Sequence, residues 1–124
     1  MPNNNYNIEM NQGDTFSLNL TVKEANGSLK SLSGYSARMQ IRPSYDSTTV
    51  TESLTTSNGE ITVNTSSSTI SLSLAATRTA NIAVDLGAGK PPKSVYVYDL
   101  ELVNGDDVSK LIYGNVTVYG EVTR

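Results

Sequence analysis

The sequence predicts an all-β protein, an antiparallel β-sandwich of about seven or eight short strands with one short helix. Three observations point there. Apolar and polar residues alternate at period two through most of the chain, the pattern of strands with one face on a core and one on water. Turn dipeptides recur between these runs, with Asn26-Gly27, Asn58-Gly59 and Asn104-Gly105 the clearest. The chain is rich in Ser, Thr, Asn and Gly and has one Phe and no Trp, so its core must be built from aliphatic residues and Tyr.

The elements follow in order. Phe16, Leu18, Leu20 and Val22 alternate with Ser17, Asn19 and Thr21, a half-buried strand that ends before the Asn26-Gly27 turn. Ala37, Met39 and Ile41 alternate with Arg38, Gln40 and Arg42, and Pro43 stops that strand. Residues 50–54 form a weaker candidate, and Asn58-Gly59 leads into Glu60-Ile61-Thr62-Val63. Ile70, Leu72 and Leu74 alternate with serines. The alternation then fails over residues 75–82, AATRTANI, which suit one or two helical turns. Residues 85–94, DLGAGKPPKS, are rich in Gly and Pro and read as an exposed loop. Two long strands close the chain, at 95–103 and 108–118. Turn spacing and strand number are those of an immunoglobulin-like sandwich. Residues 1–12 are polar with little to bury, which suggests an arm outside a sandwich domain of residues 13–124.

Composition excludes several kinds of chemistry. A chain of 124 residues is one domain by length. It has no Cys and no His, so disulfides, thiolate nucleophiles, the usual zinc sites and His-based triads are out of reach. No cofactor motif is present. A net charge of −3 offers no basic surface for nucleic acid. The first residues lack the positive and apolar regions of a signal peptide, and no apolar run approaches the ~18 residues needed to span a membrane.

Asp99 and Glu101 are the sharpest candidates for chemistry. Two apart on one strand, they share a face at roughly 6.5–7 Å, a separation used by inverting glycosidases. Tyr96, Tyr98, Leu100 and Leu102 occupy the opposite face and claim the core, leaving the carboxylates outward with Val95 and Val97. An open strand face lacks the apolar pocket that would raise a catalytic acid's pKa, so a solvated face is the better reading. Residues 104–109, NGDDVS, lack the length and closing Glu of a calcium loop and read as a hairpin turn. GAGK at 87–90 is followed by Pro91-Pro92, which forbids the helix a phosphate loop requires. Lys90, Pro91, Pro92 and Lys93 instead suggest a stiff basic projection able to touch a neighbour. Tyr113 and Tyr119 point outward if Val116 and Val118 point in, and Tyr is enriched at interfaces.

Several segments together resemble a known family. They are QGDTFSLNLTV, LKSLSGYSARMQIRPSYDS, NGEITV, STISLSLAATRTANI and YVYDLELVNGDDVSKLIYGNVTVYGEVTR. In this order they are similar to a small β-sandwich family of tailed bacteriophages that includes the siphophage collar protein attaching side tail fibres. The resemblance covers residues 12–124, with YDLEL and the closing EVTR its most specific parts. GAGKPP lengthens a loop that is short in the family, and Tyr119-Gly120 stands where Ser-Pro is usual. The resemblance implies a structural protein of the virion, made in the host cytoplasm, with no catalytic residues, no cofactor and no metal. It implies partners among tail, fibre or capsid proteins and a homo-oligomeric ring, with no nucleic acid or membrane partner. A tail, collar or baseplate adaptor is the first expectation and a head decoration or head–tail junction protein the second. A carbohydrate-binding module is a third, weakened by the lack of Trp. The expected contact residues are Tyr6 on the arm, Lys90, Pro91, Pro92, Lys93, Tyr113, Tyr119 and the terminal Arg124.

Overall fold

A computed structural model describes residues 5–84 and 92–120. Within them two sheets face each other. The larger runs β1 (Ile8–Asn11), β8 (Asp107–Tyr119), β7 (Lys93–Asn104), β3 (Ser36–Arg42) and β4 (Glu52–Thr55). The smaller runs β2 (Phe16–Thr21), β6 (Thr69–Leu74) and β5 (Ile61–Asn64). The expected all-β sandwich is present, and the strand order is immunoglobulin-like. The one helix among the described residues, α1 (Ala76–Thr79), falls inside the stretch where alternation fails.

A further mark of that fold is a buried tyrosine at the corner entering β7. The Tyr96 hydroxyl donates to the Ala83 carbonyl oxygen at 2.5 Å, tying the strand to the chain that leads into it. The contact is similar to the tyrosine corner of immunoglobulin-like sandwiches, although its acceptor lies 13 residues upstream rather than a few. It was legible in principle, as a Tyr early in the strand after the helical turn, but periodicity alone marks Tyr96 only as a core residue.

The core forms where period two requires it. Ala37, Met39 and Ile41 of β3 are buried, as are Tyr96, Tyr98, Leu100 and Leu102 of β7. Ile61, Ile70, Leu72 and Leu74 meet them from the smaller sheet. Phe16, Leu18 and Leu20, expected in the core, pack against it but stay half-buried. β2 is one of the two edge strands of its three-stranded sheet, and among the described residues it has a strand neighbour, β6, on one side.

Two expectations are corrected. Residues 5–12 are not an arm outside the domain. Ile8 and Met10 are buried, and β1 pairs with β8 from Ile8↔Val116 to Asn11↔Tyr119. That pairing is parallel, so the larger sheet is mixed rather than wholly antiparallel. The apolar pair Ile8/Met10 is too short a period-two signal to stand out in an Asn-rich segment, and the partner that covers it lies over 100 residues away. Residues 1–4 lie outside the described residues.

Three polar joints brace the sandwich. The Gly13 amide donates to Thr79 Oγ1 at 3.1 Å, and that hydroxyl donates to the Asp14 carbonyl oxygen at 2.7 Å. Gln12 Nε2 donates to the Ile82 carbonyl oxygen at 2.7 Å. The turn between β1 and β2 is thereby fastened to α1 through Thr79, which is fully buried. From the same helix Arg78 pairs with Glu52 of β4 and with Glu60 ahead of β5, bridging the two sheets. Ser68, with φ of 55°, donates its hydroxyl to the Lys30 carbonyl oxygen at 2.5 Å.

Tyr98 supplies a pH-dependent test of the packing. Burial pushes its phenol well above the ordinary value, with Tyr6 adding a smaller effect, and its hydroxyl donates to the Tyr6 carbonyl oxygen at 2.5 Å. Below about pH 10 both folded and unfolded chains keep the phenolic proton, so this group adds no pH dependence. Above it the unfolded chain ionises while the folded one does not, and stability falls as pH rises toward the folded value. Tyr98→Phe should cost about 1 kcal/mol at neutral pH through the lost hydrogen bond. It should also flatten the decline in stability between about pH 9 and about pH 11, measured by urea denaturation. An unchanged alkaline slope would show that Tyr98 titrates normally.

Candidate functional site

Strand alternation sorts side chains onto an outer face of the larger sheet. Arg38, Gln40 and Arg42 of β3 stand opposite Glu101, Asp99 and Val97 of β7, and Tyr113 and Asn115 of β8 extend the row beyond Asp99 and Val97. Asp99 and Glu101 do point outward, as expected. Each is engaged by a cation from a neighbouring strand: Arg38 Nε lies 2.7 Å from Glu101 Oε1, and Lys110 Nζ lies 3.4 Å from Asp99 Oδ2. Their side chains are 27% and 39% exposed. No apolar pocket encloses them, so the solvated, ion-paired face is what the geometry supports. Among the described residues, no cluster of three or more carboxylates is placed to hold a metal ion.

Lys110 reaches this face because of a β-bulge. Leu100 pairs with Ile112 but Glu101 pairs with Lys110, so Leu111 is an extra residue on β8. Without it, the side-chain alternation from Tyr113 would turn Lys110 toward the opposite face. The same ammonium sits 5.7 Å from the centre of the Tyr113 ring, a cation–π contact. Nothing in the sequence announced the bulge, since KLIYG reads equally well as an unbroken strand.

Beside these carboxylates the face is not flat. Tyr45, on the connection between β3 and β4, stands 71% exposed at the rim of an open groove of about 440 Å³. Arg38, Gln40, Arg42, Val97, Asp99 and Glu101 line it.

The expected contact residues fall into separate places. Tyr6 is 44% exposed, and its amide donates to the Tyr113 carbonyl oxygen at 2.8 Å, so these two meet through the backbone near the middle of β8. Pro92, Lys93 and Tyr119 gather at the end of the sheet: Lys93 pairs with Tyr119, and the Pro92 carbonyl oxygen accepts from the Gly120 amide at 2.8 Å. The Tyr119 hydroxyl donates to Glu9 Oε2 at 3.1 Å, which holds its phenol above the ordinary value. Tyr119 lies six positions along the strand from Tyr113, roughly 20 Å. Lys90, Pro91 and Arg124 lie outside the described residues.

Compared with known proteins, the chain matches no family model and no curated sequence.

Proposed function

We propose that this chain is a structural component of a tailed bacteriophage virion, a tail, collar or baseplate adaptor that helps attach fibres. One observation carries the reading. The segments that resemble the phage family fall, in order, on successive parts of one sandwich: the turn into β2, β3, the turn into β5, β6 with α1, then β7 and β8. Two of them also meet in space, where Gln12, Gly13 and Asp14 of the first are bonded to Thr79 and Ile82 of the fourth. The adaptor acts through protein contacts, and copies surrounding a symmetric tail form a ring with head-to-tail interfaces. Pro92, Lys93 and Tyr119 form one contact region, and Tyr6 with Tyr113 the other; Lys90, Pro91 and Arg124, also expected at contacts, lie outside the described residues.

Gold-labelled antibody raised against the purified chain, applied to virions that encode it, tests the assignment. Gold at the neck, tail or baseplate is expected. Gold over the capsid shell would move the protein to the head-decoration reading, and virions without gold by imaging and without the chain by mass spectrometry would sink both. Deleting the N-terminal residues is no substitute for this experiment, because Ile8 and Met10 belong to the core and their loss destabilises the domain itself.

A further inference from the structure

The groove on the outer face of the larger sheet is a site that the proposed virion role leaves unexplained. Its polar groups are tied in place by one another. Arg42 donates from Nη1 to the Ser47 carbonyl oxygen at 2.7 Å and from Nη2 to Gln40 Oε1 at 2.8 Å. Arg38 is held to Glu101 and Asp99 to Lys110, as described above. These contacts orient planar amide, guanidinium and carboxylate groups side by side, while each keeps capacity to spare. Arg38 uses its Nε–H alone in the pairing with Glu101, leaving the donors of both terminal nitrogens. The Gln40 amide nitrogen and the second oxygens of Asp99 and Glu101 likewise retain bonding capacity.

We propose that this groove binds a neutral saccharide. Arg38 and Arg42 are matched in number by Asp99 and Glu101 along its lining, so the lining residues carry no net formal charge. An anionic ligand would have to compete with Glu101 for Arg38 and with Asp99 for Lys110, whereas Arg42 is bound to neutral groups, the Ser47 carbonyl and Gln40. Sugar hydroxyls, which donate and accept at once, can add to the spare donors and acceptors without breaking a pair. The exposed Tyr45 ring at the rim supplies a flat apolar surface for the C–H face of a pyranose, and the Val97 side chain supplies an apolar floor. The volume of about 440 Å³ lies in the size range of small-ligand sites. Fixed polar groups of both kinds beside one aromatic ring make a site for a polyhydroxylated ring.

The test is a titration of nitrogen-15-labelled protein with maltose, cellobiose, lactose and N,N′-diacetylchitobiose, followed by NMR. At least one sugar should shift the Gln40 side-chain amide together with the Val97 and Asp99 backbone amides. Tyr45→Ala should weaken that binding roughly tenfold, the worth of one good aromatic contact. Gln40→Ala should weaken it too, while Lys23→Ala, away from the groove, should leave it unchanged. Four sugars without effect would overturn the proposal, as would shifts indifferent to both groove substitutions. Stronger shifts of the same amides by inorganic phosphate would make this an anion site instead. Shifts that follow protein concentration without sugar would make it a contact between copies. Neither of those outcomes would touch the virion assignment, which is tested separately by labelling virions.

Discussion

A chain lacking residues 1–11 should lose most of its stability, or fail to fold, rather than shed a dispensable arm. Ile8 and Met10 are 3% and 2% exposed, packed in the core beside Val116 and Val118. Burial of two such side chains contributes roughly 3–6 kcal/mol. A domain of this kind has about 5–15 kcal/mol in total. The deletion also strips a neighbour from β8 and uncovers its buried valines, which deepens the loss. Urea denaturation followed by far-UV circular dichroism measures it. Ile8→Ala and Met10→Ala in the full chain, each expected to cost about 2–5 kcal/mol, separate core burial from loss of the strand. Gly114→Ala attacks the same docking from the other side. A Cβ there would lie 2.5 Å from the Tyr6 carbonyl oxygen and 2.8 Å from Asn7 Oδ1, so the N-terminal backbone must shift away. A truncated protein with the intact chain's denaturation midpoint would mean that β1 contributes nothing to folding.

Leu100→Ala should destabilise the domain by about 2–5 kcal/mol. Leu100 is fully buried at the centre of β7, between Met39 of β3 and Ile112 of β8. Strands flank it on both sides and the smaller sheet lies across the core. The surroundings have little freedom to collapse into the space, which places the cost toward the upper end. Val95→Ala on the same strand, 53% exposed on the outer face, is the matched control and should change stability by less than about half a kcal/mol. Equal costs for the two would mean that β7 presents its faces the other way round. Global unfolding in urea reads both variants on one scale.

The faces of β3 and β7 were legible because a strand's side chains alternate strictly, and each of these strands carries an unbroken apolar set on one side, opposed by polar groups on β3 and by carboxylates among valines on β7. The same rule marked Asp99 and Glu101 as outward and left them without an enclosing apolar pocket. The helical turn was legible as a lapse in alternation. Local pattern determined these features, since each is written in neighbouring residues. Elsewhere the deciding partner is remote in sequence. Tertiary structure alone decided that Ile8 and Met10 enter the core, because only the edge of β8 gives them something to cover. It decided that Phe16, Leu18 and Leu20 stay half-buried, because alternation marks which face turns inward but not how deeply that face is covered. It also decided that Lys110 meets Asp99 and that Tyr45 rims a groove with Arg38 and Gln40. A bulge on β8 and the fold of one connection place those groups, and hydrophobic periodicity carries no trace of either.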